Sequence, residues 1–227
     1  MFKKLQTNTN ETYKYSDMIF PLYGIIPEMK MKCNYTPNAS AGFNGYTANE
    51  IRTAYNVPTV SGKPIIAVII AYYCPNIQND LNTYWKKNMT GNAPIINTVH
   101  FGTVQDPGWY MEACLDIQMI AIMNPNANIW LVQSADDTVT NILNAVNYAT
   151  NTIKATVVSM SFGGNDSPKQ SSLYSYFANS NVCYCASSGD ANTPNFPSTY
   201  YNCISIGGTT LSSITPCLLY TSPSPRD

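Results

Sequence analysis

The sequence is short of histidine, charge and long apolar runs. Its 227 residues hold one histidine, His100, and 12 Lys+Arg stand against 13 Asp+Glu for a net charge of −1. A single imidazole excludes zinc centres built on two or three histidines and leaves one candidate base for a Ser-His-Asp triad. The absence of a basic excess speaks against a phosphate-backbone binder. No apolar stretch approaches the roughly 18 residues of a membrane helix, and the N-terminal MFKKLQTNTNETYKYSDMIF lacks the apolar run of a signal peptide. The glycine patterns of dinucleotide and P-loop sites are absent too, which disfavours a nucleotide-binding domain. Seven cysteines occur, none in a C-x-x-C pair, so neither a zinc ribbon nor a redox motif is supported. Cys183 and Cys185, two apart in VCYCAS, share one face of a strand and read as buried free thiols.

What is present suits a folded domain. Hydrophobic residues make up 44% of the chain, enough for a core. Residues 1–44 are Asn/Thr-rich and read as an N-terminal extension. A helix is expected over 45–58, with Thr47 as N-cap and Pro58 as its stop. The continuous apolar run over 63–73, IIAVII at its heart, reads as a strand buried on both faces. Further strands are predicted at 93–101, 126–135, 154–164, 181–190 and 202–211, and helices at 77–88, 109–123, 136–151 and 171–180. The two acids opening 136–151 suit a helix dipole. Strands alternating with helices imply an α/β fold with a parallel sheet and helices on both faces. The last eleven residues, CLLYTSPSPRD, have no apolar periodicity and read as a translated sequencing adapter rather than a natural Ser/Pro tail; native sequence is then expected to run to about residue 216.

Three features fall where such sheets bind ligands, outside the carboxyl ends of strands. Glu112 and Asp116 in MEACLDIQ stand one helical turn apart on a helix that is otherwise apolar. Their proximity would raise one pKa and suits a shared-proton base; taken alone, the pair is more simply a solvated acidic stripe. SMSFGG (159–164) ends a strand with exposed backbone to which an extended peptide could add, or is a simple turn. SSGD (187–190) ends another, with Asp190 over the same crevice or bonded to its own turn.

Taken in order, these segments resemble the sedolisin family, the serine-carboxyl peptidases of subtilisin-like fold, over about residues 45–211. The resemblance is carried by YTANEIRTAYNVP, the strand IIAVIIAYY, MEACLDIQMIAIMNPNANIWLV, VVSMSFGG, CASSGD and FPSTYYNCISIGGTTL. It implies a partial peptidase domain over 45–216, with a subtilisin-like parallel sheet incomplete at the C-terminus. It implies Glu112 as general base, Asp116 as the residue that orients it and shares its proton, and Asp190, protonated, as the oxyanion-site acid. It implies Ser161, Phe162 and Gly163 as a rail for substrate backbone, a peptide or protein as substrate, and a monomer without nucleic-acid or membrane partners. Family members are often secreted or work in acidic compartments, and the sequence does not specify this chain's own.

The departures from the family pattern are specific. The nucleophile motif G-T-S-A-x-x-P does not occur; GGTTL (207–211) imitates it but follows the wrong strand, so Thr209 and Thr210 are not expected to be nucleophiles. The calcium ion typical of the family is expected to have its ligands beyond this sequence. A glutamate after the first strand and a tryptophan in the rail are replaced by Ala71 and Phe162. A long propeptide is not visible before residue 45. The expected function is therefore a serine-carboxyl endopeptidase, inactive in the form written, with a non-catalytic peptide-binding pseudo-peptidase as the alternative. His100 is expected to be an ordinary strand residue.

Overall fold

The computed structural model describes residues 20–21, 46–58, 62–165, 168–189, 195–214 and 217–221. The element order is β1 (Phe20–Pro21), α1 (Ala48–Ala54), β2 (Ile65–Ala71), α2 (Ile77–Asn88), β3 (Ile96–His100), α3 (Pro107–Met123), β4 (Asn128–Ser134), α4 (Val139–Tyr148), β5 (Val157–Met160), β6 (Phe162–Asn165), β7 (Cys183–Ser187), β8 (Asn195–Phe196), β9 (Cys203–Ile206), β10 (Thr209–Ile214) and β11 (Cys217–Thr221). One π turn, Ala149–Ile153, extends α4, and a 3-10 stretch, Pro168–Phe177, precedes β7.

Six strands form one parallel sheet in the order β3-β4-β2-β5-β7-β9. β2 lies between β4 and β5, and Ala67 to Ala71 are fully buried. That explains its unbroken apolar run: a central strand covered on both faces has no solvent face to reserve for polar residues. Helices flank the sheet, with α3 and α4 both packed across β2 and β4. The result is an α/β fold of the subtilisin-like kind.

The first motif has a local reason. Thr47 and Glu50 make a reciprocal capping box, Thr47 N–H donating to Glu50 Oε2 at 2.6 Å and Glu50 N–H to Thr47 Oγ1 at 3.3 Å. Arg52 donates from one guanidinium nitrogen to Ile122 O at 3.1 Å and also to Met123 O. A cation thus closes the negative end of α3, the helix carrying the two acids.

Some boundaries differ from expectation. The single strand expected over 154–164 is two, broken at Ser161, and the strand over 202–211 ends at Ile206, after which Thr209–Ile214 pairs antiparallel with Cys217–Thr221 in a separate two-stranded sheet. The helix expected over 171–180 is 3-10, in keeping with a serine-rich segment whose hydroxyls compete for backbone groups. Helix α4 begins at Val139 rather than at the acids. Asp136 accepts from Thr138 N–H at 3.0 Å and from Asn141 Nδ2 at 2.8 Å, whereas Asp137 turns elsewhere. Of the remaining segments, residues 1–19, 22–45 and 222–227 lie outside the described residues.

On one face of the sheet beyond β2 the described residues are only partly buried. On β5, β7 and β9 the buried set is Val158, Tyr184 and Cys203, backed by an aromatic cluster of Phe177, Phe196 and Tyr200. The opposite set is half-buried on β5 and β7, and Ile204 and Ile206 on β9 are 51% and 48% exposed.

Burial at the centre is the main term in stability. Ile69→Ala is expected to cost about 2–5 kcal/mol, read as a lower urea midpoint at unchanged slope.

Candidate active site

Helix α3 presents both candidate acids. Asp106 caps it, accepting from Gly108 and Trp109 N–H at 2.9 Å each, and Pro107 occupies its first turn. The helix therefore starts two residues earlier than the apolar pattern suggests, where Pro has no N–H to leave unsatisfied. Glu112 is 7% exposed, alone in charge among the helix's buried residues, which include Trp109, Ala113, Ile117, Ala121 and Ile122. Asp116 is half-buried as a residue, yet its Oδ2 is closed to solvent. The solvated-stripe alternative is thus disfavoured.

The break between β5 and β6 places Ser161 against this pair: its hydroxyl donates to Asp116 Oδ1 at 2.7 Å. Burial pushes the Asp116 carboxyl up to about 6, while hydrogen bonds with Ser161 and Glu112 oppose the rise. Desolvation outweighs the bonds, so this carboxyl exchanges its proton in mildly acidic solution. Sequence reasoning placed Ser161 only on the rail. That its side chain reaches back to Asp116 depends on β5 ending at Met160, which no local pattern announces.

Phe162 and Gly163 have distinct roles. The Phe162 ring is buried, 6.2 Å from that of Trp109, which anchors the start of β6 to α3. At Gly163 an added Cβ would lie 3.1 Å from Asn195 Cβ and 3.2 Å from Phe196 O, so a larger residue there would push β6 and β8 apart by a few tenths of an ångström. Strand β6 is the middle of a three-stranded antiparallel sheet: Gly164 and Asn165 pair with Phe196 and Asn195, while Phe162 and Gly163 pair with Pro21 and Phe20. The far edge of the expected rail is therefore taken up by an extended segment of this same chain.

Asp190 lies outside the described residues. The turn before it is described: Gly189 has φ +100, a conformation that favours glycine, and a Cβ there would displace the Asn195 amide, whose Nδ2 lies 1.8 Å from its position.

A second polar group lies at the carboxyl ends of β2 and β4. Tyr72, with φ 62, follows Ala71 and donates its hydroxyl to Asp137 Oδ1 at 3.1 Å. Burial raises the Asp137 carboxyl despite this bond, and burial with the charge of Asp137 raises the Tyr72 phenol. The sequence signal was the second acid of DDTVT, read there as a helix-start charge. His100 ends β3, its Nδ1 2.9 Å from Gly102 O and its ring centroid 4.5 Å from that of Tyr73.

Among the described residues no group of three or more His, Cys, Asp or Glu converges as a metal site. No described helix is long and apolar enough to cross a membrane.

The Asp116 environment has a thermodynamic sign. An unfolded Asp titrates near about 3.9. Between there and about 6 the folded chain holds a proton that the unfolded chain has released, so stability falls as pH rises through this window. Asp116→Asn is expected to flatten this part of the curve, read as a smaller difference in melting temperature between pH 4 and pH 7 than in the parent chain.

No protein-family model matches the sequence, and no curated protein matches it. Among solved structures the chain is similar to Pseudomonas sedolisin, a serine-carboxyl proteinase solved in complex with two molecules of pseudo-iodotyrostatin, with a TM-score of 0.62 at 20% identity over 74% of this chain. The match spans 55% of that chain, about half its length. What the chain shares with this sedolisin at that level of identity is the fold.

Proposed function

We propose that this chain carries the acid half of a serine-carboxyl peptidase site. The observation that carries the reading is the Glu112–Asp116–Ser161 cluster: two carboxyl groups one turn apart, largely withdrawn from water, with a hydroxyl 2.7 Å from that of Asp116. The sedolisin-like fold and the order of the motifs support it.

In this proposal the nucleophilic serine and the calcium ligands belong to sequence outside this chain. Glu112 takes the serine proton as the oxygen attacks the substrate carbonyl, and Asp116 shares that proton through its bond to Glu112. Asp190, protonated, donates to the developing oxyanion. Glu112 then returns the proton to the leaving amine, and water, deprotonated in turn, releases the acyl group. The substrate would lie antiparallel to β6, its backbone held by main-chain groups of residues 161–163. The pairing of Phe20 and Pro21 with this strand supports such an edge. With its hydroxyl committed to Asp116, Ser161 serves the rail through its backbone.

The alternative, a peptide-binding protein without catalysis, is favoured by the absence of G-T-S from the sequence. The two readings separate on the protein expressed with its reading frame continued past residue 216. The peptidase reading expects a downstream G-T-S, hydrolysis with an acidic optimum, and a loss of about 10²–10⁴-fold in kcat for Glu112→Ala with melting behaviour retained. A stop codon without such a serine, or a Glu112→Ala variant of full activity, would overturn it.

A further inference from the structure

We propose that Cys183 and Cys185 form a two-thiolate site for a soft monovalent cation of the Cu(I) class. The two sulfurs lie 3.8 Å apart on the same face of β7. A disulfide is disfavoured: residues two apart on an extended strand are separated by about 6.6–6.8 Å, the limit of what that bond spans. The pair is therefore kept as thiols. With metal–sulfur bonds of about 2.3 Å, an ion seated between them is bent, and opening the sulfurs by less than about 1 Å straightens it.

The surroundings select the ion. Val157 and Ser159 face the pair from β5, and Ile204 stands beside Cys185 on β9. No His, Asp or Glu shares this set, and among the described residues no third strong ligand completes a cluster. Zinc, which takes four ligands, is poorly served, whereas a two-coordinate thiophilic ion needs no more than this and gains from an apolar wall. The partly buried sheet face gives access, since Cys183 and Cys185 are half-buried beside the exposed Ile204. Binding replaces two S–H bonds by two S–metal bonds and releases two protons, with no change in metal oxidation state. The site uses none of Glu112, Asp116 or Ser161 as a ligand, so it stands or falls independently of the peptidase reading.

The test is an anaerobic Cu(I) titration of the full chain in a non-thiol reductant against a chromophoric Cu(I) chelator. One equivalent is expected to be retained, with affinity falling at least 100-fold in Cys183→Ser and in Cys185→Ser and unchanged in Cys114→Ser. Zn(II) should bind no more tightly to the parent than to Cys185→Ser. A measurement without variants guards against misfolding: Cu(I) should protect Cys183 and Cys185 together, and not Cys114, from alkylation followed by mass spectrometry. Equal retention in Cys183→Ser, a loss in Cys114→Ser equal to that in Cys185→Ser, or alkylation of both thiols at the metal-free rate would overturn the proposal.

Discussion

A carboxyl group taken out of water needs compensation, and the environment of Asp116 is organised around that need. Its helix could be apolar on every buried face; instead it carries Glu112 and Asp116 on one side, withdrawn from solvent. An ionised carboxylate in such a place is costly unless hydrogen-bonded. Ser161 answers one oxygen directly, and Glu112 interacts with the same carboxyl. For Ser161 to arrive there, β5 must end at Met160 and the chain must restart as β6. For α3 to hold its acids at that height, both ends must be fixed, by Asp106 and Pro107 at the start and by Arg52 at the finish. The capping box of α1 fixes the helix that carries Arg52. Much of the first half of the described chain thus contributes to holding one acid pair.

The second constraint is closeness between backbones. Strand β6 runs tight against β8 at Gly163, and the turn at Gly189 runs tight against Asn195. Asn195 is the common partner of both, and its Nδ2 also donates to Ser188 O at 3.4 Å. A single buried side chain therefore ties the strand proposed to receive a peptide to the turn that leads into Asp190. The opposite edge of β6 accepts Phe20 and Pro21, showing that its backbone can be extended by a short antiparallel strand.

The α/β fold was legible because its signals are strong and local. A buried parallel strand such as Ile65–Ala71 cannot look like anything exposed, and Thr47 marks the helix start that the structure shows. The acid pair was legible as a pair because i,i+4 spacing is a property of the helix itself. What stayed hidden depends on contacts distant in sequence. The reach of Ser161 to Asp116 spans 45 positions, and the turn of Asp137 away from its helix toward Tyr72 spans 65. The 3-10 character of Pro168–Phe177 was hidden for another reason: its apolar spacing suits either helix type, and the serines tip the balance. The nearness of the Cys183 and Cys185 sulfurs followed from strand alternation, but the partial burial of that face did not, since it depends on what covers the sheet.

The central claim is that Glu112 and Asp116 behave as one proton-sharing unit. Carboxyl-carbon NMR of the labelled chain, followed through pH 3–8, reads this directly. The account predicts that Asp116 titrates near 6, well above the ordinary range of about 4, and that its midpoint moves in Glu112→Gln. An Asp116 midpoint near about 4, or one unmoved by Glu112→Gln, would contradict it.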